Sequence, residues 1–324
     1  MKKERYYITM AIALITLILA SCQNEDLYDG LCNVRFKAYV QDEVSVTRAA
    51  EGYTEIARSN TSAFDAALFV SFGATHKEYE MKWNGSNALS TNARLETGNY
   101  NFYGFAPKIE GVTASFDDSD KKLTISSIPA LDDKDMMVIK PCSVTVTSNE
   151  IGGNKTVNLE MDHLMAKITP YFYLNSEYNK LRNIRIKTVK LFFDSAPTYD
   201  AAIGYNESGY TTTWLGGSSA KRSVTIYNNT TLPVDLTTQK GEQAYGHCYI
   251  VPSQSTSNLK MKVTYDVYDK SGSLTRKDET AVNVIKKLPT NLSVGYNYKL
   301  NIQIVPSYLY VLSDNDEASL VIPN

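Results

Sequence analysis

The stretch Val34-Arg35-Phe36-Lys37-Ala38-Tyr39-Val40 alternates apolar and polar residues with a period of two. In an extended chain this puts Val34, Phe36, Ala38 and Val40 on one face, whereas a helix would scatter them around its axis. Short runs of strand character recur at 67–71, 80–83, 99–105, 122–125 and 144–147. A second series lies at 168–174, 184–193, 223–227, 247–251, 259–268, 280–285 and 298–305. Turn chemistry separates them: "DDSDKK" (117–122), "EIGGNK" (150–155) and "DKSGS" (269–273) read as hairpin loops. Almost no stretch sustains a helical period, and the polar segment 51–67 reads mostly as loop. Many short strands spaced by turns predict an all-β sandwich architecture. The sequence "TVNLEMDHLMAKITPYFYL" runs from one strand into another, which puts a domain boundary near Glu160. Each half is long enough for its own sandwich.

Ahead of these strands lies a leader. Lys2, Lys3 and Arg5 precede an apolar run over residues 8–20. That run is shorter than the roughly 20 residues of a membrane-spanning helix and fits the core of a secretory signal. The junction Leu19-Ala20-Ser21-Cys22 resembles a bacterial lipobox, with 1–21 removed and Cys22 lipidated. Fatty-acyl chains such as palmitate, contributing about 0.8 kcal/mol per buried methylene, would hold the chain at a membrane. The following Gln23, Asn24, Glu25 and Asp26 resemble the acidic export signal of surface lipoproteins in Bacteroidetes. The expected location is therefore the outer membrane and cell surface.

Composition narrows the function. A net charge of −2 gives no basic field for nucleic acid. Tyrosine is abundant, 23 residues against 10 Phe and 2 Trp, which suits half-buried strands and contact surfaces. With Cys22 lipidated, Cys32, Cys142 and Cys248 remain, an odd number without metal-type spacing; an oxidising compartment allows one disulfide, and structural thiols are expected instead. His163 sits in a strand-like stretch without a partner motif and reads as a hydrogen-bonded structural histidine. His76 and His247 are isolated. Asp132, Asp133 and Asp135 read as a solvated turn, and so does "SDNDEAS" (313–319), because neither matches a calcium loop. Phosphate loops, serine elbows and zinc spacings are missing from the sequence, so no enzyme, metal or cofactor is expected.

Four motifs in order carry a resemblance: "LETGNYNFYGFAP" (95–107), "DDKDMMVIKP" (132–141), "VNLEMDHLMAKI" (157–168) and "GYNYKLNIQIVP" (295–306). Together with the lipobox, the mature chain resembles the fimbrillin family of Bacteroidetes, the Mfa-like and FimA-like lipoprotein pilins of type V fimbriae. The resemblance implies two tandem transthyretin-like Greek-key β-sandwiches, at 49–160 and 161–324, assembling with other fimbrial subunits. It also implies trimming of a 22–48 propeptide by an arginine-specific protease, with a neighbour's strand replacing the one removed. Arg48, before Ala49 in a small-residue segment, fits the cut, and the strand carrying Val34, Phe36, Ala38 and Val40 fits the removable element. The tail 307–324, with Tyr308, Tyr310, Leu312, Leu320 and Ile322 in two apolar pieces, fits the donor. Two arrangements stand side by side: cleavage and exchange, or a first strand that stays in place with a tail folded on its own domain. The tail and Arg48 favour a stalk or tip subunit over an anchor. "FDSAP" (193–197) resembles the Bacteroidetes O-glycosylation acceptor, which implies Ser195 on an exposed loop. In the same motifs Gly98 and Gly104 allow tight backbone at the ends of a strand whose Tyr100 and Phe102 share a face. The competing class is a glycan-binding surface lipoprotein that does not polymerise, with Trp83, Trp214 and tyrosines as an aromatic platform and a host or bacterial surface ligand as partner.

Overall fold

A computed structural model describes residues 30–41, 44–45, 53–55, 64–83, 93–231, 233–286 and 288–305. These residues are almost entirely β. In chain order the strands begin with β1 (Cys32–Gln41), β2 (Val44–Ser45), β3 (Tyr53–Glu55), β4 (Phe64–Phe72), β5 (Thr75–Trp83) and β6 (Arg94–Leu95). Then come β7 (Gly98–Ala106), β8 (Thr113–Asp117), β9 (Lys122–Pro129), β10 (Leu131–Asp132), β11 (Met137–Val146), β12 (Asn154–His163) and β13 (Ala166–Leu174). The remainder are β14 (Arg182–Asn206), β15 (Gly209–Asn228), β16 (Cys248–Ile250), β17 (Lys260–Asp269), β18 (Leu274–Val284) and β19 (Tyr296–Ile304).

Three sheets result. The first runs β3-β1-β12-β11-β7-β4-β5, with β6 also on β1; the second runs β10-β16-β13-β19-β2; the third runs β18-β17-β14-β9-β8, with β15 on the other edge of β14. The first sheet folds over itself. Beyond Ile139 a bulge in β11 ends its pairing with β12 while its pairing with β7 continues, so β12 and β1 swing over the rest of the sheet. One core fills that fold, formed by Val34, Phe36 and Leu159 on one side and Leu68, Phe102 and Ile139 on the other. Phe36 meets Phe102 edge-on, with ring centroids 5.6 Å apart.

The larger core lies between the second and third sheets, where Ile168, Phe172 and Ile250 meet Ile184, Leu191 and Met261. It continues onto the outer face of the first sheet through Phe69, Tyr103 and Phe105. There Tyr103 packs on Phe116 and Tyr205, each 4.6 Å away. Strands β4 and β7 are thus buried on both faces, which explains why "AALFV" and "NFYGFA" read as continuous apolar runs and not as alternations. Gly104 sits opposite Leu68 where β7 pairs with β4, and a Cβ there would lie 2.2 Å from the Ala67 carbonyl oxygen. At Gly98 a Cβ would lie 2.5 Å from the Phe72 ring, which stacks on Tyr100.

The predicted strands are all found, and the hairpin loops at 117–122, 150–155 and 269–273 lie between β8 and β9, β11 and β12, and β17 and β18. Segment 51–67 differs from its reading as loop, since β3 and the start of β4 fall within it. The long hairpin of β14 and β15 joins what the sequence presents as several short runs. Its bulges, as at Phe193/Ala196, break the alternation without ending the pairing. The chain passes from the first sheet to the second at the buried Leu164 and Met165. Sheet membership also cuts across residue 160, because β8 and β9 join the third sheet and β10 the second.

Candidate functional site: the first strand and its groove

Strand β1 is built as the alternation requires. Val34, Phe36 and Ala38 are 4%, 0% and 1% exposed, while Arg35 and Lys37 face outward; Val40 is half-buried where the strand leaves the core. On one edge β1 pairs with β12 in parallel, from Asn33 opposite Asn154 to Val40 opposite Met161. On its other edge β6 pairs at Cys32 and Asn33, and β3 at Tyr39 to Gln41. Among the described residues, no strand pairs with that edge from Arg35 to Ala38. The strand therefore lies next to the margin of the sheet, its outer edge only part-paired among the described residues, with one apolar face sunk in the core and clips at both ends.

The clips are largely backbone. Gly152 N–H donates to the Leu31 carbonyl at 2.9 Å, and Asn33 N–H to the Gly153 carbonyl at 3.0 Å. These hold the entry of β1 against the β11–β12 loop. The exit is held by His163, which is buried, with Nε2 2.8 Å from the Gln41 carbonyl oxygen and Nδ1 2.5 Å from Asp135 Oδ2. A carbonyl only accepts, so Nε2 carries a proton. The Nδ1 contact ties the same ring to Asp135. His163 is thus the structural histidine expected, and its partners are distant in sequence.

The aspartate run divides. Asp132 accepts from the Lys134 N–H in a tight turn, and burial pushes its carboxyl above the ordinary value. Asp135 is largely buried against His163, in contrast to its reading as part of a solvated turn. His76 contacts Asp118, which also accepts from the buried Ser71 hydroxyl. Burial works to raise the Asp118 carboxyl, yet the hydrogen bonds from His76 and Ser71, with the His76 and Lys121 charges, hold it below the usual range. Ser71 donates to the aspartate and not to the histidine, so the trio ties the β4–β5 hairpin to the β8–β9 hairpin; it does not activate a nucleophile. Cys32, Cys142 and Cys248 are free thiols, and burial raises all three. Among the described residues no group of three His, Cys, Asp or Glu is placed to hold a metal ion.

Ser195 is exposed, but it lies within β14 at the Phe193/Ala196 bulge, which corrects the expectation of a loop. The bulge replaces the loop because β15 pairs on both sides of it. Cys22, Arg48, Ala49, Tyr308, Tyr310, Leu312, Leu320 and Ile322 lie outside the described residues, as does 313–319. Sequence reasoning found the face of β1 but not its parallel partner or its clips. Parallel pairing leaves no hairpin signature, and a histidine's contact with a backbone carbonyl leaves none at all.

The fold and this strand define an all-β protein of three packed sheets with a clipped, half-paired first strand. Among solved structures, the chain is similar to a proposed cell adhesion protein of Bacteroides uniformis ATCC 8492, at 12% identity, over 85% of this chain and 94% of that one, with a TM-score of 0.43. It is also similar to a proposed cell adhesion protein of Bacteroides ovatus ATCC 8483, at 15% identity, 84% and 92% coverage and a TM-score of 0.41. A fimbrial protein of Bacteroides vulgatus ATCC 8482 is similar at 12% identity, 84% and 95% coverage and a TM-score of 0.40. No protein-family model matches the chain, and no curated protein matches it.

Proposed function

We propose that the chain is a structural and adhesive subunit of a surface fimbria, exported as a lipoprotein on Cys22 and polymerised by replacement of β1. The observation that carries this reading is the construction of β1, which completes a core with alternate side chains and pairs fully with β12, yet among the described residues is paired on its outer edge only near its ends. Removing it uncovers the sites of Val34, Phe36 and Ala38; burial stabilises a large apolar side chain by roughly 1.5–3 kcal/mol. An open groove of that kind, with the β12 edge freed, favours strand addition from another chain. On this reading Cys22, the proposed lipid anchor, precedes β1 and Arg48 follows it, so one cut would release the subunit from the membrane and open its groove together. Other copies or related subunits are the partners, with an arginine-specific protease as processor.

The test is deletion of residues 307–324. Folded monomers that no longer form fibres in electron micrographs are the expected result. Normal fibres from the truncated chain would exclude the tail as donor.

A further inference from the structure

A pocket of about 430 Å³ opens where the first sheet meets the tip of the β14–β15 hairpin. Its floor comes from Asp162 and His163 at the end of β12 and Leu164 just beyond it; one wall comes from Tyr210, Thr212 and Trp214, which share a face of β15. Ser208 at the hairpin turn, Lys140 and Val294 complete it. Small-molecule pockets span roughly 300–1,000 Å³, are mostly apolar and carry a few convergent polar groups. This one follows that pattern at the small end.

From this arrangement we infer that the pocket is a binding site for a neutral mono- or disaccharide. A sugar ring presents an apolar C–H face and a rim of hydroxyls. The half-buried Trp214 and Tyr210 provide an apolar wall with a polar tip. Asp162 provides an acceptor for hydroxyl donors, and hydrogen bonds to a carboxylate are stronger than neutral ones. The Thr212 hydroxyl can donate or accept as the ring requires, and the Ser208 hydroxyl, which donates to Asn206 Oδ1 at 3.0 Å, can still accept. The Tyr210 hydroxyl donates to Asp162 Oδ2 at 3.0 Å, which fixes that carboxylate in the pocket wall. Charge argues against an anionic ligand: Lys140, the pocket's lysine, is engaged by Glu160 at 3.0 Å, the lining His163 is engaged by Asp135, and Asp162 adds a negative charge. Val294, 44% exposed, extends the apolar rim toward solvent.

The inference deepens the adhesive part of the proposed function and rests on it, but its test uses monomers, so its failure and a failure of fibre assembly are separate results. The full mature chain is titrated with methyl glycosides of glucose, galactose, mannose, fucose and N-acetylglucosamine, followed by saturation-transfer NMR. Because the chain has two tryptophans, a Trp83→Phe chain makes Trp214 the sole fluorescent reporter. At least one glycoside is expected to give a saturable response in both assays. Asp162→Asn, which keeps the shape and an acceptor for Tyr210, is expected to weaken it by about tenfold or more, equivalent to 1.4 kcal/mol. Trp214→Phe, followed by NMR, should also weaken it while the melting temperature stays within a few degrees. Absence of saturation by every glycoside would overturn the proposal. So would binding that Asp162→Asn and Thr212→Val both leave unchanged, or saturation by inorganic phosphate in place of the sugars.

Discussion

Replacing Phe36 by alanine isolates the contribution of β1 to the folded precursor. The side chain is fully buried, it lies between the folded-over halves of the first sheet, and its ring meets Phe102 at 5.6 Å and 71°. Truncating a buried phenylalanine costs about 3–5 kcal/mol, the lost transfer energy plus the cavity left behind. Whole-protein stabilities are only about 5–15 kcal/mol, so this single change should remove a large fraction of the total. Lys37 is the internal control: it is next in the strand, faces solvent, and its replacement by alanine should change stability by no more than about 0.5 kcal/mol. Urea unfolding of both variants, with circular dichroism as probe, measures the difference. If strand replacement is the assembly step, Phe36→Ala should also speed incorporation of a labelled peptide spanning residues 31–41. A Phe36→Ala variant within about 1 kcal/mol of Lys37→Ala would refute the reasoning, because β1 would then not complete the core.

Gly104→Ala is expected to destabilise by about 1–3 kcal/mol or more in urea unfolding, since close packing leaves no room for an added methyl; its Cβ would meet the Ala67 carbonyl oxygen at 2.2 Å and the Ile139 Cδ1 at 2.9 Å. Asp118 gives a pH signature. Its carboxyl is held below the usual value, so its contribution is fully present above the ordinary carboxylate pKa near 3.9 and is lost as pH falls through the lower folded value. The stability gap between the wild type and Asp118→Asn should therefore narrow between pH 7 and strong acid; a gap that does not change with pH would contradict the assignment. His163→Gln removes the ring that spans Asp135 and the Gln41 carbonyl. Hydrogen exchange should quicken at Tyr39 to Gln41 and stay slow at Asn33 to Phe36, and uniform protection would show that His163 does not hold the strand end.

The legible parts of the fold are those where one residue's neighbours in sequence report its environment. In β1 the strict alternation announces one buried face, and the side chains at 34, 36 and 38 are buried as that alternation demands. In β4 and β7 the alternation disappears because a second core presses on the other face, and the sequence cannot say which core claims which residue. Phe102 and Tyr103 are adjacent yet belong to different cores. The pairing of β1 with β12 joins residues some 120 apart without a turn to mark it, and the clip from His163 to Gln41 spans a similar distance. The pocket is harder still: "GYTTTW" on β15 gains its meaning only when the hairpin brings it against Asp162. Trp214 is visible in the sequence as a candidate aromatic contact, but its polar companions are not.

The central claim, that β1 is a temporary strand removed on assembly, meets its most direct test in the N-terminus of the assembled material. Surface fibres, sheared from cells and sequenced from the first residue, should begin at Ala49, with Cys22 and β1 absent. Fibres whose subunits begin at a lipid-blocked Cys22 and retain residues 32–41 would contradict it.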